Sequence, residues 1–468
     1  MRLALISGDG LPVSGLLTVF RNVVALARQQ HELTLPVPAD LGFSWRPDKP
    51  AFYPDGSDPT GHPDWLDVTT ARPVADSARL AKELTWIRDR VAIGETLSPD
   101  ESRELDARIE LLAGPYEEHF ARLLTDHRVD WAVAVNMTLT DAVPVTLALH
   151  RAAARYWADG RPGGILFWDH DLFGSYAVHE GTTRVYPVRP NAFTPLPGGH
   201  PSHRWAVVSP GLATEADGYP TALRPTTVPN VLPVVRPGPT DRHREFLARF
   251  GIGPERPVVL CPVRVFRVKG VELSVELLAA VRAETRRRGE PDPVLLVFGS
   301  LGEDPEYAAE VLAAVDEFDV AADVRFLDGV PLASHRDRHG RWHLDEADLL
   351  ALCAASHGGV FFTPNRPDVE SVGLGPALAA LVRVPCASTG YGVLDEVYGP
   401  GFRQVRVLPG AYPEAGAAFA DWIARTRDGD RDALDALTRN QEIVAERFPD
   451  LPWTTLLSQL AAALHPEV

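Results

Sequence analysis

Two cationic residues, Arg264 and Lys269, lie between a strand pattern and a helix pattern. The preceding run, Val258–Cys261, is apolar and β-branched, which is typical of a buried parallel strand. Beyond the turn, apolar residues recur every four positions over 273–281, along one face of a helix. The start of a helix offers free N–H groups and the positive end of its dipole, and the forked Arg and the mobile Lys suit phosphate oxygens. The turn therefore predicts a phosphate or diphosphate site, with solvated loop charges as the alternative.

A second chemical group follows another predicted strand. The apolar run 164–168 is followed by Asp169, His170 and Asp171. Ligands of open parallel sheets bind beyond the carboxyl ends of the strands, so His170 is a candidate for ligand contact. The alternative is a structural histidine satisfied by its acidic neighbours.

Glycines mark two further loops. Gly8, Gly10 and Gly15 follow the first predicted strand, but their spacing does not fit the G-x-G-x-x-G of dinucleotide-binding proteins, which argues against a nicotinamide cofactor. Gly15 stands at the start of a predicted helix, where the absence of a side chain allows close approach to a ligand. The second loop, 370–376, reads ESVGLGP and follows the strand predicted at Gly359–Phe362.

In this order, these segments resemble the retaining GT-B glycosyltransferases of the GT4 kind. Arg264, Lys269 and Gly270 match the family's R-x4-K-G. Glu370 matches the first Glu of the family's E-x-F-G segment. The resemblance implies that Arg264 and Lys269 stabilise the leaving diphosphate, while Glu370 and His170 contact the transferred sugar. It also implies a set of donor-binding residues: Gly15, Ser371, Val372, Gly373 and Leu374.

The implied activity is transfer of a sugar from a nucleoside-diphosphate sugar to a small-molecule acceptor, with retention at the anomeric carbon. No cofactor or metal is expected, because the two cations face the leaving group. The family commonly carries a second Glu for the ribose, and here that position is Leu378, which favours a specialised, natural-product type of pathway. Two alternatives stay open: a GT-B epimerase or phosphorylase, and a non-catalytic protein that binds a sugar nucleotide.

Composition narrows the class of protein. A formal net charge of −17 argues against a nucleic-acid partner, which requires a dominant basic surface. The three cysteines have no pair spacing and predict buried thiols, not disulfides or zinc ligands. His335, His339 and His343 recur every four residues, but nearby arginines and Gly340 favour a solvated loop over a metal site. No apolar run reaches membrane-spanning length, so we expect a cytoplasmic protein; homodimer formation stays open.

The order of elements predicts an α/β protein of GT-B architecture, in which two Rossmann-like domains with parallel sheets face each other across a cleft. The expected units are an acceptor domain over 1–235, with an insertion at about 41–127, and a donor domain over 236–440. The remainder, 441–468, is expected to cross back as a helix onto the first domain. Within the insertion we expect a helix that ends at Gly114 and Pro115, and a loop over 41–72 that contacts the acceptor.

Overall fold

Two parallel β-sheets organise the chain. The computed structural model describes residues 1–10, 14–47, 62–174, 179–180, 183–236, 238–366, 368 and 370–465. Part of the predicted acceptor loop over 41–72, namely 48–61, lies outside these residues. The described part of that loop contributes an edge strand, Leu66–Val68, to the first sheet.

The first sheet has seven strands in the order β3-β2-β1-β4-β5-β8-β9, all parallel. Its central strands are buried over their whole length, as the apolar runs predict. A separate two-stranded ribbon joins β6 and β7. The strands are β1 (Leu3–Ser7), β2 (Val37–Asp40), β3 (Leu66–Val68), β4 (Trp131–Val135), β5 (Gly164–Asp169), β6 (His179–Glu180), β7 (Thr183–Arg184), β8 (His203–Val207) and β9 (Thr226–Thr227).

Five α-helices accompany this sheet, and the third corrects a prediction. The sequence predicts an end at Gly114 and Pro115, but the helix continues to Asp126. Proline removes one intrahelical hydrogen bond, while the residues beyond it, including Tyr116 and Phe120, are fully buried and hold the helix against the domain. The helices are α1 (Gly15–Gln30), α2 (Ser77–Ala92), α3 (Pro99–Asp126), α4 (Val143–Tyr156) and α5 (Pro210–Ala216).

The second sheet has six parallel strands in the order β12-β11-β10-β15-β16-β17. The segment predicted as a solvated loop with three histidines instead forms an antiparallel ribbon, β13–β14, in which the rings of His335 and His343 stack at 5.5 Å. The strands are β10 (Val258–Cys261), β11 (Val294–Val297), β12 (Val324–Phe326), β13 (His335–Arg336), β14 (Trp342–His343), β15 (Gly359–Phe362), β16 (Cys386–Thr389) and β17 (Val405–Val407).

Helices surround the second sheet and complete the chain. They are α6 (Asp241–Arg249), α7 (Val271–Arg288), α8 (Pro305–Glu317), α9 (Glu346–Ala355), α10 (Gly375–Leu381), α11 (Leu394–Tyr398), α12 (Tyr412–Arg427), α13 (Arg431–Arg447) and α14 (Leu451–Ala462). Cys261, Cys353 and Cys386 are buried free thiols.

The last helix crosses back onto the N-terminal sheet, as predicted. Trp453 of α14 packs edge-on against Trp168 of β5, with ring centroids 4.7 Å apart. The Trp453 indole donates to the Pro229 carbonyl at 3.0 Å, and the Trp131 indole donates to the Leu460 carbonyl at 3.0 Å. These contacts attach the C-terminal helix to the first half of the chain. In the described ranges, no helix combines the length and apolar character that crossing a membrane requires.

Candidate functional site

All nine residues predicted for the site line one cleft between the two sheets. The cleft has a volume of about 430 Å³ and receives side chains from the carboxyl ends of strands in both halves. Loops beyond β1, β4 and β5 form one wall, and loops beyond β10 and β15 form the other. The predicted residues are Gly15, His170, Arg264, Lys269, Glu370, Ser371, Val372, Gly373 and Leu374.

Lys269 and Glu370 are direct partners across the loops that follow β10 and β15. The Lys269 Nζ lies 2.6 Å from Glu370 Oε1, and both side chains are largely buried. Gly270 after the lysine has φ +58°, and a Cβ there would lie 2.0 Å from the Thr363 carbonyl oxygen. The glycine is thus required for the turn that brings the cation to the carboxylate.

Arg264 is oriented by a carboxylate that sequence analysis missed. Its Nε donates to Glu303 Oε2 at 2.6 Å, and the Glu303 side chain is only 1 % exposed. Because Glu303 engages Nε, the terminal nitrogens of the guanidinium stay available for a ligand in the cleft. In the turn after β11, Gly299 approaches the backbone of Arg264 so closely that a Cβ would collide, and no local sequence pattern marks this contact between the two loops.

The loop formed by Ser371, Val372, Gly373 and Leu374 precedes α10, which begins at Gly375. Gly373 has φ +72°, and a Cβ there would lie 2.4 Å from the Tyr391 hydroxyl. The Tyr398 hydroxyl donates to the Gly373 carbonyl at 2.5 Å and fixes the loop. Among the described residues, the amides of Val372, Gly373 and Leu374 have no hydrogen-bond acceptor, so they can donate to an anion in the cleft.

Gly15 occupies the first position of α1 on the opposite wall. The Ser14 side chain caps the helix by accepting from the Leu17 amide at 3.0 Å, and its hydroxyl also donates to Asp9. A Cβ built on Gly15 meets no atom within 4 Å. The space in front of Gly15 is therefore open for a ligand.

His170 lies at the end of β5 beneath the cleft. Its side chain is buried, and its ring lies 4.6 Å from the Trp168 ring. Burial lowers the pKa of His170 to about 3, so the imidazole is neutral at physiological pH. Its Nε2 has no hydrogen-bond partner among the described residues. A neutral ring in this position suits hydrogen bonding to a hydroxyl, not charge stabilisation.

Asp171 and Asn136 are the main cleft residues that the sequence did not single out. The Asn136 side-chain oxygen accepts from the His170 amide at 2.7 Å, and its amide nitrogen donates to Asp171 Oδ2 at 3.2 Å. The other Asp171 oxygen accepts from the Ser371 hydroxyl, which joins the two halves of the chain across the cleft. Burial raises the pKa of Asp171, while the Ser371 and Asn136 hydrogen bonds and the charge of Lys269 oppose that shift. The position of Asn136 directly after β4, at the carboxyl edge of the sheet, was the available signal.

Solved structures share the fold over nearly the whole chain, whereas no family model and no curated protein matches the sequence. Sucrose-phosphate synthase from Thermosynechococcus elongatus is 16% identical, with 99% of each chain covered and a TM-score of 0.55. The HepE protein of Anabaena, solved with UDP and glucose, is 15% identical over 99% of this chain and all of that chain, with a TM-score of 0.53. A glycosyltransferase from Rickettsia africae is 11% identical over 100% and 99% of the two chains, with a TM-score of 0.51. The chain has the GT-B fold.

Leu378 lines the GT-B cleft from α10, and only 4 % of its surface is exposed. Its side chain also belongs to a buried apolar cluster with residues such as Val360 and Cys386. Glu346, the first residue of α9, also lines the cleft, and its Oε2 lies 3.5 Å from Arg21 of α1.

Proposed function

We propose that this protein is a glycosyltransferase that moves a sugar from a nucleoside-diphosphate sugar to a small-molecule acceptor with retention of configuration. One observation carries this proposal: a single cleft of a GT-B fold contains two cations, three backbone amides without an acceptor among the described residues, and two groups that can contact a sugar, Glu370 and His170. The Anabaena neighbour, solved with UDP and glucose, supports a nucleotide sugar as the donor. The buried Leu378 favours a specialised pathway, because the usual nucleoside contact is replaced.

The reaction breaks the bond between the anomeric carbon and the phosphate oxygen and joins that carbon to an acceptor oxygen, nitrogen or sulfur. Negative charge develops on the leaving diphosphate, and the proton of the acceptor leaves with it. Arg264, Lys269 and the amides of Val372 and Gly373 would stabilise this charge in a partly dehydrated cleft. Glu303 would act as a positioning residue for Arg264.

Glu370 and His170 would hold the sugar. In the structure Glu370 neutralises Lys269. A bound diphosphate would compete for the lysine and leave the carboxylate to accept hydrogen bonds from sugar hydroxyls. Because His170 is neutral, one ring nitrogen can donate and the other can accept. Retention requires the acceptor to approach on the same face as the departing diphosphate, and this part of the proposal rests on the sequence resemblance.

Gly15 provides a direct test of donor binding. Gly15→Ala and Gly15→Val add side chains that meet no described atom, so their effect on folding should be small. We expect both to weaken binding of the cognate nucleoside diphosphate, the valine by at least ~10-fold, because they occupy space that the ligand needs. Isothermal titration after a thermal-shift screen of UDP, GDP, ADP and dTDP measures this, with Gly114→Ala as a control that also meets no atom. Unchanged affinity in both Gly15 variants contradicts the proposed donor site.

Turnover separates an enzyme from a binding protein. We expect release of the nucleoside diphosphate from the matching sugar nucleotide, slowly without acceptor and faster with one. Tight binding without any turnover across the donor panel would leave a sugar-nucleotide sensor as the better description. Hydrolysis or isomerisation that acceptors never accelerate would favour an epimerase.

We also propose that turnover needs no divalent metal, because Arg264 and Lys269 supply the positive charge. No group of three His, Cys, Asp or Glu side chains with metal-binding geometry occurs in the ranges that the structure describes. Turnover should therefore be the same before and after treatment with EDTA. Activity that is lost with EDTA and restored by Mg²⁺ or Mn²⁺ contradicts the cation mechanism.

A further inference from the structure

The N-terminal wall of the cleft has a distinct chemical character. The described carboxylates that line it are Asp9, Asp141 and Asp171, and the described cation on the same wall is Arg46. The wall also carries aromatic surface from Trp45 and Tyr186. This wall faces Arg264 and Lys269 and is the part of the cleft that remains for an acceptor once a diphosphate binds the cations.

The polar groups of this wall are held in place. The Tyr186 hydroxyl lies 3.2 Å from both carboxylate oxygens of Asp141. Burial, followed by the charge of Asp141, keeps the pKa of Tyr186 well above its ordinary value, so the phenol stays a hydrogen-bond donor. Asn136 fixes Asp171 in the same way from the end of β4. Fixed acceptors of this kind distinguish ligands by the number and charge of their donors.

A second observation points to a ligand on this wall. His170 is 8 % exposed, lines the cleft, and has an Nε2 without a hydrogen-bond partner among the described residues. Buried polar atoms normally find a partner, and a hydroxyl of the transferred sugar, which the acceptor must approach, would supply one. The neutral imidazole adds no positive charge to balance the carboxylates.

We propose that the acceptor is a hydroxylated ring that is neutral or carries an amine, and that it binds the wall formed by Asp141, Asp171 and Tyr186, which rejects acceptors bearing phosphate or carboxylate. This inference rests on the proposed function and specifies its acceptor. An anionic acceptor would place its charge beside Asp9, Asp141 and Asp171, and like-charge contact in a partly buried site is strongly unfavourable. An ammonium group would gain from the same charges, and ring hydroxyls would donate to Asp141 and Asp171. Trp45 and Tyr186 are only 2 % and 7 % exposed, so recognition of the ring depends mainly on its hydroxyl contacts with the carboxylates.

The test uses three acceptors of equal ring size: glucose, glucosamine and glucose 6-phosphate. Each is titrated into protein saturated with its cognate nucleoside diphosphate. We expect glucose 6-phosphate to bind at least ~10-fold more weakly than glucose, and glucosamine to bind as tightly as glucose or more tightly. Asp141→Asn should reduce the glucosamine-to-glucose-6-phosphate affinity ratio several-fold. Asp159→Asn removes one exposed carboxylate from the same half outside the cleft and should leave that ratio unchanged.

Each remaining outcome counts against the proposal. Equal or tighter binding of glucose 6-phosphate, or an unchanged ratio in Asp141→Asn, overturns the assigned acceptor class. Failure of all three probes to bind while the nucleoside diphosphate still binds overturns the assignment of this wall to a sugar-sized ring, and leaves the donor site intact. Failure of the nucleoside diphosphate to bind overturns the proposed function itself.

Discussion

Individual side chains in the cleft are set by partners distant in sequence. The Arg264–Glu303 contact spans 39 residues and the Lys269–Glu370 contact spans 101. The sequence predicts that both cations lie on a turn. Replacing either of them by alanine would then change the free energy of unfolding little. The buried partner carboxylates alter that expectation, because a carboxylate that loses its cation in a dry environment raises the free energy of the folded state.

Arg264→Ala should lower turnover at least ~10-fold, since hydrogen bonds to charged groups contribute roughly 1.5–3 kcal/mol. It should also lower the free energy of unfolding by about 1–3 kcal/mol, because Glu303 is left buried without its partner. Arg264→Lys keeps the charge and should recover part of the stability but little of the turnover, since the planar fork is lost. Steady-state kinetics and thermal melting of both variants, beside Lys269→Ala, measure these effects. Full turnover in both alanine variants would remove the cations from the mechanism.

Leu378 leads to a prediction about the nucleoside. An aliphatic side chain accepts no hydrogen bond, so the ribose 2′-hydroxyl should contribute little through this position. Replacing the cognate nucleoside diphosphate by its 2′-deoxy form should change binding by less than ~1 kcal/mol, the worth of one neutral hydrogen bond. Isothermal titration of the two nucleotides measures this difference in binding free energy. A loss beyond ~10-fold would show that another group binds the ribose, and Glu346→Gln would then test one carboxylate that lines the cleft.

At the scale of elements, the donor loop depends on one backbone conformation. Gly373 is in the left-handed region, and Tyr391 and Tyr398 fill the space beside it. Gly373→Ala should destabilise the protein by about 1–3 kcal/mol and weaken nucleotide binding at least ~10-fold, because the loop must move to admit the methyl group. Gly390→Ala is a matched control in a nearby loop, since its Cβ would meet no atom within 4 Å. Equal nucleotide affinity in the two variants would show that the loop around Gly373 does not take part in donor binding.

Some strands whose apolar pattern is uninterrupted were predicted from the sequence to the residue. Val258–Cys261 and Gly359–Phe362 are examples, because four consecutive buried positions between turns leave little choice of register. The α3 prediction failed at Pro115 because the burial that holds the second half of the helix comes from tertiary packing, which local propensity does not contain.

The site residues also fall into those that the sequence predicts and those that only long-range contacts determine. The nine predicted residues meet because each follows a recognisable strand, and strand ends share one edge of a sheet. Asp171 was seen only as a neighbour of His170, since its role depends on Ser371, 200 residues away. Glu303 was missed for the same reason. Contacts between halves follow from how the sheets face each other, and no local pattern encodes them.

At the scale of the molecule, the cleft exists because several contacts hold two sheets face to face. Arg21 of α1 pairs with Glu346 of α9, Ser371 donates to Asp171, and α14 returns to cover Trp131 and Trp168. A ligand that replaces the Ser371–Asp171 contact exchanges one bridging interaction between the halves for another. Donor binding is therefore expected to change how the halves meet as well as to fill the cleft.

The first sheet also predicts how stability depends on pH. His203 of β8 is buried, and its ring lies 5.0 Å from that of His150. Burial lowers the pKa of His150 to about 3 and of His203 to about 4, and that of His170 to about 3. In the unfolded chain these groups titrate near 6.5, so below about pH 6.5 the unfolded state binds more protons and folding stability falls. Asp169 acts in the opposite direction, because burial raises its pKa to about 7, and burial also raises the pKa of Asp171 and Glu346. We expect the combined effect of the three histidines to exceed that of these carboxyls.

Thermal midpoints should therefore fall between pH 7.5 and pH 5.0, with each buried histidine contributing up to about 1.4 kcal/mol per pH unit. His150→Phe keeps an aromatic ring against Phe167 and removes one titrating group, so its midpoint should fall less steeply with acid. His339→Gln changes an exposed histidine in the second half and should keep the wild-type slope. A His150→Phe slope equal to that of the wild type would mean that the acid sensitivity arises elsewhere. A midpoint that rises on acidification would show that the carboxyls, led by Asp169, dominate the balance.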